Sequence, residues 1–370
     1  MQLSRTYNPG VMTLDELMHA RQYSLPQEQK ERLLLEHLNV LTAQHRAGCE
    51  GYDRLVRILH HDASAAATLA DIPYIPVGLL KTHELRSIAP SEVFRVLTSS
   101  GTTGQRVSRV YLDRATAMLQ SAALSKIMIH VLGPERLPML LIESPTIVSD
   151  RTSFSARGAG ALGMMNFGRA HCHALDEHMQ LQLPRVMEFL SRFGGQPFLI
   201  FGFTFMVWAY FYQHIKGIGL DLSNGTLIHS GGWKKLIEQS VTNDEFKSAF
   251  RRDTGLRRIY NFYGMVEQVG SVFLEGEDGY LYPPNFADVV IRDPMTWNEL
   301  PPGKPGVIEV LSLLPQSYPG HAILTEDLGV VEHIDGNTCG RLGKAFRVLG
   351  RLPKAELRGC SDTHAAGVSA

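Results

Sequence analysis

The sequence predicts an α/β protein in which largely parallel sheets are flanked by helices and joined to a small β subdomain. Three observations predict this class. Residues 1–90 have the apolar spacing of helices, residues 91–278 alternate short apolar runs with Gly- and Ser-rich turns and helical stretches, and residues 279–352 contain short strands separated by prolines and glycines. We therefore predict a helical N-terminal region, an α/β core, a mainly β subdomain, and a hinge with a short tail at 353–370.

The N-terminal region contains a clear helix signal. Ser24 is expected to cap a helix that has Pro26 in its first turn, and Gly48 is expected to end it. One face of this helix carries recurring apolar side chains, namely Leu34, Leu38 and Leu41. This spacing predicts a helix packed against the rest of the protein.

The core begins at about residue 91 with a series of apolar runs. The predicted strands are Phe94 to Leu97, Met139 to Ile142, Phe198 to Phe201, Thr226 to Ile228 and Arg258 to Phe262. The uncharged segment from Phe193 to Gln213 is interrupted by Gly202 and Thr204, which favours a buried strand followed by a buried helix over a membrane span. In the β subdomain, the predicted strands include Val307 to Leu311 and Leu328 to Val331.

Charge and cysteine content narrow the functional class. The chain of 370 residues has 36 basic and 37 acidic side chains, so its balance gives no electrostatic reason for a nucleic acid or an anionic membrane as partner. Its four cysteines include no CxxC pair, and the N-terminus lacks the pattern of a signal peptide. We therefore expect a reduced, cytoplasmic protein without a membrane span.

A run of hydroxyl residues and glycines directly follows the first predicted core strand. Glycines let backbone N–H groups turn toward an anion, and hydroxyls add hydrogen-bond donors for phosphate oxygens. The segment lacks the Gly-Lys-Ser/Thr ending of a Walker loop. The residues expected to bind phosphate are Thr98, Ser99, Ser100, Gly101, Thr102, Thr103 and Gly104.

A second segment combines aromatic, glycine and carboxylate residues. It runs from Tyr260 to Glu267 and contains the pair Tyr263 and Gly264. A flat ring can stack on a purine, glycine lets the backbone approach a ligand, and the carboxylate of Glu267 can hold Mg²⁺ beside phosphates. A third segment, Leu324-Thr325-Glu326-Asp327-Leu328-Gly329, follows in the β subdomain.

These segments resemble, in their order, the signatures of the adenylate-forming superfamily, which includes acyl-CoA ligases, luciferases and peptide-synthetase adenylation domains. The resemblance implies the fold of that superfamily's N-terminal domain, with ATP and Mg²⁺ as cofactors and residues 91–278 as a nucleotide- and acyl-binding core. It also implies that Asp327 and Arg351 bind ribose, with Arg341 as the rival arginine, and that Gly231 and Gly232 line the adenine.

The sequence departs from the superfamily pattern at three positions. Arg106, with Arg109 as the alternative, stands where a lysine usually follows the phosphate loop, and we assign Arg106 a catalytic role. Val266 replaces a common threonine, and Glu326 replaces the central glycine of a Thr-Gly-Asp segment.

Several other segments narrow the resemblance to LuxE-type acyl-protein synthetases of bacterial fatty-acid reductase systems. They are Ile75 to Lys81, Phe201 to Phe205, His229 to Lys235 and Glu356 to Ser361. Larger superfamily members carry a catalytic lysine in a further domain, which this sequence is expected to lack. The resemblance implies that Cys360 accepts the acyl group and that an acyl reductase or a carrier protein collects it.

Three functions are therefore compared. The first is an acyl-protein synthetase that activates a carboxylic acid, of the fatty-acid class, as acyl-AMP and transfers the acyl group to Cys360. The second is an AMP-forming ligase that loads CoA or a carrier protein directly, and the third is a non-catalytic nucleotide-binding subunit. Two further features stay open, namely a metal site at His171-Cys172-His173 and a substrate loop from Asp150 to Arg157.

Overall fold

The computed structural model of the chain describes residues 12–60, 65–99, 107–149, 156–233, 240–336 and 338–352. Within these ranges the helices are α1 Leu14–His19, α2 Gln27–Gly48, α3 Glu50–Leu59, α4 Leu79–Thr82, α5 Arg114–Leu132, α6 Thr146–Ser149, α7 Ala156–Met165, α8 Leu183–Phe193, α9 Thr204–Met206, α10 Gln213–Ile215 and α11 Asn243–Thr254. A π-helical segment, Val207–Tyr212, joins α9 to α10. The predicted alternation of helices with strands is confirmed.

The strands form one large mixed sheet and one hairpin. Their bounds are β1 Ile75–Pro76, β2 Arg95–Thr98, β3 Arg109–Leu112, β4 Leu137–Ile142, β5 Gly168–His173, β6 Phe198–Phe203, β7 Gly225–Ser230, β8 Arg258–Tyr263, β9 Phe273–Glu275, β10 Leu281–Tyr282, β11 Ala287–Arg292, β12 Gly306–Ser312, β13 Ala322–Ile334 and β14 Lys344–Arg351. The large sheet has the order β11-β12-β13-β14-β10-β9-β8-β7-β6-β4-β5, and β1 pairs with β13.

The large sheet is parallel in one half and, apart from the short parallel pairing of β1 with β13, antiparallel in the other. Strands β5, β4, β6, β7 and β8 are parallel, whereas the strands from β9 to β11 pair in antiparallel fashion. Short connections made from proline- and glycine-rich turns favour antiparallel neighbours, because a parallel neighbour needs a long crossover. The same sheet therefore continues from the predicted core into the predicted β subdomain.

The first predicted core strand does not join the largely parallel sheet to which it was assigned. The run near Phe94 forms β2, which pairs only with β3 in a separate antiparallel hairpin among the described residues. The apolar side chains of this hairpin, Leu97, Val110 and Leu112, pack with Tyr318 in a small hydrophobic cluster. The two strands that flank the predicted phosphate loop therefore lie outside the parallel sheet.

The predicted N-terminal helix forms, but its start differs from the expectation. Leu34, Leu38 and Leu41 are buried and Gly48 is the last residue of α2. Ser24 does not cap it: the Ser24 hydroxyl donates to the Arg21 carbonyl, and the first helical N–H, that of Gln27, donates to Asp335 at 3.0 Å. The carboxylate of Asp335, which is distant in the sequence, thus caps the helix in place of a neighbouring side chain.

A short parallel pairing joins the N-terminal region to the β subdomain. Ile75 and Pro76 of β1 pair with Ile323 and Leu324 of β13, and the N–H of Val77 donates to the Leu324 carbonyl at 2.9 Å. Because α4 begins two residues later, this pairing fixes α4 beside the middle of β13.

The uncharged segment near residue 200 forms a buried strand and a buried helical segment, as predicted. Phe198 and Phe201 of β6 are fully buried. Val207 and Phe211 pack with Phe198 and Phe246 in a hydrophobic cluster that we call the second hydrophobic cluster. Among the described residues, α5 is the one helix whose length and composition would allow it to cross a membrane, and 28% of its most apolar stretch is buried. One such helix is weak support for a span, so the absence of a span stays a prediction.

Candidate active site

Three neighbouring parallel strands end where the predicted nucleotide residues lie. Strands β6, β7 and β8 end at Phe203, Ser230 and Tyr263, and the register pairs Phe203 with Ser230 and Ser230 with Phe262. The carboxyl ends of parallel strands form the usual ligand-binding edge of an α/β sheet. The pairs Gly231-Gly232 and Tyr263-Gly264 follow these ends directly and so lie side by side.

The glycine pair after β7 leaves open space at the sheet edge. Gly231 has a φ of 85°, a conformation that favours glycine, and a Cβ there would lie 3.6 Å from the Phe203 ring. A Cβ on Gly232 would meet no atom within 4 Å in the described chain. A flat ligand can therefore approach this backbone closely, as the adenine prediction requires.

Tyr263, Asp327 and Arg351 form one connected group. The Tyr263 hydroxyl donates to Asp327 Oδ2 at 2.7 Å, and Arg351 Nε lies 3.5 Å from Asp327 Oδ1. Asp327 and Arg351 are opposite each other in the pairing of β13 with β14. Burial and the neighbouring Asp327 carboxylate raise the pKa of Tyr263 well above its usual value, so the hydroxyl keeps its proton as a donor.

The rival arginine lies elsewhere. Arg341 is buried, donates to the Leu274 carbonyl at 2.7 Å, and has its guanidinium 4.3 Å from the Tyr23 ring centroid and 5.4 Å from that of Tyr282. Arg351 is exposed beside Asp327. The two ribose candidates that the structure brings together are thus Asp327 and Arg351, and their role stays a prediction.

The base of the predicted phosphate loop is held by the hairpin. Thr98 pairs with Arg109, and Ser99 and Ser108 are joined by two hydrogen bonds, from Ser99 N to the Ser108 carbonyl at 3.2 Å and from Ser108 N to Ser99 Oγ at 2.9 Å. The remaining loop residues, Ser100, Gly101, Thr102, Thr103 and Gly104, and the predicted catalytic Arg106 lie outside the described residues.

Glu267 is buried next to this loop base. It is 5% exposed, and burial raises the pKa of its carboxyl, while nearby Ser108, Lys81 and Arg351 act in the opposite direction. The Ser108 hydroxyl is close enough to Glu267 to favour its ionised carboxylate. Within the described structure, however, this hydroxyl forms no hydrogen bond of good geometry. The base of the predicted phosphate loop and the predicted metal ligand therefore lie close together.

Val266, one of the departures from the superfamily pattern, has a packing role here. It contacts the hairpin cluster that includes Leu97, Val110 and Tyr318, and the Tyr318 hydroxyl donates to the Glu267 carbonyl at 2.8 Å. The apolar side chain thus anchors the segment that carries Glu267 to the loop base.

The residues around Glu267 fit Mg²⁺ bound together with a nucleotide. Mg²⁺ is commonly held by one or two carboxylates and completed by substrate phosphates and water. The buried carboxylate of Glu267, at the base of the predicted phosphate loop, would supply one such ligand. Among the described residues, no group of three His, Cys, Asp or Glu side chains is arranged to hold a metal without a nucleotide.

Lys81 lies beside the predicted ribose residues, although no role was predicted for it from the sequence. Its ammonium is 3.5 Å from Glu326 Oε1, next to Asp327, and it lowers the pKa of the Glu267 carboxyl. Its position depends on the pairing of β1 with β13, which joins residues far apart in the sequence. The one available signal was the charge of Lys81 in an otherwise apolar segment, Ile75 to Lys81.

The apolar residues after β6 divide between core and site. Met206 and Trp208 are buried in the second hydrophobic cluster, and Trp233 packs edge-on against Trp208 with ring centroids 6.1 Å apart. Phe203 is partly exposed, and its ring lies 3.6 Å from where a Cβ on Gly160 of α7 would stand. Phe203 is therefore the aromatic side chain that faces the site edge near the glycine pair.

The two features left open contain structural contacts. Arg157 forms a two-bond ion pair with buried Glu143, while Asp150 to Ser155 lie outside the described residues. His171 Nε2 lies 3.0 Å from the Met165 carbonyl oxygen, and the Cys172 thiol points to the Arg185 carbonyl at 3.8 Å.

The described cysteines differ in their environment. Cys49 is buried, Cys172 is partly buried with the pKa of its thiol raised by burial, and Cys339 is partly buried; none of these three described cysteines is in a disulfide. The predicted acceptor, Cys360, lies outside the described residues. Burial of Cys49 and the raised pKa of Cys172 disfavour both as thiolate nucleophiles.

The chain is similar in sequence to known proteins. The family model of the acyl-protein synthetase LuxE matches residues 10–368. The long-chain-fatty-acid–luciferin-component ligase of Vibrio harveyi is 24% identical over 327 residues, which cover 79% of this chain and 77% of that protein.

Solved structures show the same fold. An open conformation of 2-hydroxyisobutyryl-CoA ligase, in complex with 2-HIB-AMP and CoA, superposes with a TM-score of 0.66 at 17% identity, over 94% of this chain and 81% of that one. The same ligase in the postadenylation state gives the same TM-score over 73% of its chain. The fold is that of the adenylate-forming ligases. Because the family model matches nearly the whole of this chain, the chain belongs to the LuxE acyl-protein synthetase family and is an AMP-forming ligase.

Proposed function

We propose that the protein activates a fatty acid with ATP and transfers the acyl group to its own Cys360. The observation that carries this proposal is the convergence of the phosphate-loop base, Glu267 and the Tyr263–Asp327–Arg351 group at the edge of the sheet. The fatty-acid class is supported by the name of the Vibrio harveyi relative, a long-chain-fatty-acid ligase.

In the first step, a carboxylate oxygen attacks the α-phosphorus of ATP. The new oxygen–phosphorus bond gives acyl-AMP, and the bond to the bridging oxygen breaks with its electron pair leaving on pyrophosphate. Asp327 and Arg351 hold the ribose, Gly231 and Gly232 lie along the adenine, and the loop from Thr98 to Gly104 binds the phosphates. The protein contributes mainly position and charge neutralisation.

Mg²⁺ held by Glu267 supplies charge neutralisation on the phosphates when it is bound. The Glu267 carboxylate is suited to this because it is shielded from water and anchored through Val266 and Tyr318. The cation Arg106 adds a guanidinium that can bind phosphate through two hydrogen bonds.

In the second step, the Cys360 thiolate attacks the acyl carbonyl carbon. A carbon–sulfur bond forms, the carbon–oxygen bond to AMP breaks, and AMP leaves with that electron pair. The N–H of Leu352 donates to the Glu326 carbonyl at 2.8 Å, so the last described residue is tied to the site. Cys360 follows eight positions later, and a chain of that length spans at most about 28 Å.

The acyl-enzyme is expected to deliver its acyl group to a reductase or a carrier protein in the cytoplasm. A thioester suits such delivery because it can be reduced or exchanged without further ATP. This part of the proposal rests on the LuxE family membership.

Two measurements test the proposal. Fatty acids of different chain length should support exchange of labelled pyrophosphate into ATP, and the wild-type protein should gain the mass of one acyl group that hydroxylamine removes. Cys360→Ser should keep the exchange reaction and lose the mass gain, while Cys339→Ser, a matched control, should keep both.

Each other outcome has a definite meaning. If no acid supports exchange in the wild type, the adenylation proposal is wrong. If Cys360→Ser still becomes acylated, a different residue is the acceptor. If the wild type is acylated by no acid and turns over only with added CoA or carrier protein, the enzyme is a direct ligase and Cys360 has no catalytic part.

A further inference from the structure

Lys81 reaches the candidate site from a part of the chain far from the other site residues. Strand β1 pairs with β13 at Ile75 and Pro76, and α4 then places Lys81 over Glu326. The Lys81 ammonium lies 3.5 Å from Glu326 Oε1, and Glu326 immediately precedes Asp327. The N-terminal region thus contributes a cation next to the predicted ribose site.

The Lys81–Glu326 pair contributes little to stability. Lys81 is 34% exposed and Glu326 is 44% exposed, and ion pairs open to solvent in this way contribute about 0–1 kcal/mol. An exposed ammonium is also easily exchanged between partners because its stem is flexible. The pair is therefore suited to opening when a stronger anion arrives.

The position of Lys81 identifies that anion. Ribose at Asp327 and metal-bound phosphates at Glu267 place the α-phosphate between these two carboxylates, because it joins the ribose to the remaining phosphates. The Lys81 ammonium lies 3.5 Å from Glu326, the residue before Asp327, and it is near enough to Glu267 to lower the pKa of that carboxyl. Arg351, the other described cation at Glu267, is already next to Asp327.

We propose that Lys81 binds the α-phosphate of ATP and then that of the acyl-adenylate, and that Glu326 holds its ammonium while the site is empty. The inference rests on the proposed adenylation reaction. Lys81 neutralises charge on the α-phosphate while pyrophosphate leaves, and this role involves no proton transfer. The role of Glu326 as the partner of Lys81 also gives a physical reason why a glutamate replaces the central glycine of the Thr-Gly-Asp segment.

The decisive experiment compares AMP with adenosine, which lacks the phosphate. Isothermal titration of the full-length protein should show that Lys81→Gln weakens AMP binding at least tenfold and changes adenosine binding less than twofold. Lys81→Arg should recover most of the AMP affinity. Lys216→Gln, a change of an exposed lysine that contacts Gln213, is the matched control and should change neither affinity.

Glu326→Gln tests the second half of the inference. Removing the competing carboxylate should raise AMP affinity about threefold and leave adenosine affinity unchanged. A purely structural salt bridge would instead lower the melting temperature in both Lys81→Gln and Glu326→Gln without separating AMP from adenosine.

The outcomes separate this inference from the proposed function. If the wild type binds both ligands and Lys81→Gln weakens both equally or neither, the phosphate role of Lys81 is wrong while the nucleotide site stands. If Glu326→Gln weakens AMP binding, Glu326 is not the counter-ion of an empty site. If the wild type binds neither AMP nor adenosine, the proposed function is wrong and this inference is wrong with it.

Discussion

The Tyr263 hydroxyl at the end of β8 donates a 2.7 Å hydrogen bond to Asp327 in β13, and so joins the parallel and antiparallel halves of the sheet. A hydrogen bond to a charged group contributes about 1.5–3 kcal/mol. Tyr263→Phe should therefore loosen Asp327 and raise the KM for ATP about tenfold in pyrophosphate exchange, with a smaller effect on kcat. Tyr210→Phe, in the second hydrophobic cluster, is the control. An unchanged KM in folded Tyr263→Phe would exclude a positioning role.

Replacing Glu267 should change the metal requirement. Glu267→Gln keeps the shape of the side chain but removes its charge, so the Mg²⁺ concentration for half-maximal pyrophosphate exchange should rise about tenfold. Glu177→Gln, an exposed carboxylate, should leave it unchanged. If Glu267→Gln keeps the wild-type Mg²⁺ dependence, the metal is held elsewhere.

The phosphate loop can be tested in the same assay. The double change Thr102→Val and Thr103→Val removes two donors at nearly constant shape, and adenylation should weaken at least tenfold because each donor contributes about 1.5–3 kcal/mol. Thr296→Val, in an exposed turn, should have no effect. Full exchange activity in the folded double variant would place the phosphates at another loop.

Buried neutral histidines should make the fold sensitive to acid. Burial lowers the pKa of His45 to about 4 and that of His229 to about 3, and it lowers the pKa of His321 well below the usual value. Below pH 6.5 or so the unfolded chain binds protons that the folded chain does not, so stability is full above this pH and falls as pH decreases. For His45 alone the loss is about 2 kcal/mol between about pH 7.5 and pH 5.

Urea unfolding across this pH range measures the effect. His45→Gln should be less stable at neutral pH, because the hydrogen bonds of His45 with Ser87 and with the Pro315 carbonyl are lost. The slope of its unfolding free energy against pH should be smaller, corresponding to about one proton fewer taken up on unfolding. His19→Gln, an exposed histidine, should keep the wild-type slope. A slope that stays unchanged in His45→Gln would show that this histidine does not titrate on unfolding.

The sequence predicted helix α2 and the positions of seven of the fourteen described strands, since these depend on local patterns. It did not predict the neighbour of β2, because an apolar run has the same periodicity in a hairpin as in a parallel sheet. It placed the α2 cap at Ser24, whereas Asp335 supplies it from 308 positions away. Lys81 received no role for the same reason: the contact that places it is non-local.

The pairing of β1 with β13 has a consequence for how the protein is made. On the ribosome, Ile75 and Lys81 emerge long before Ile323 and Glu326, and a contact between such distant parts of a chain forms late in folding. Until then, the nascent chain has no complete site that a nucleotide could stabilise. Added ATP should therefore protect the finished protein from proteolysis and leave ribosome-bound chains that stop before β13 as sensitive as they were.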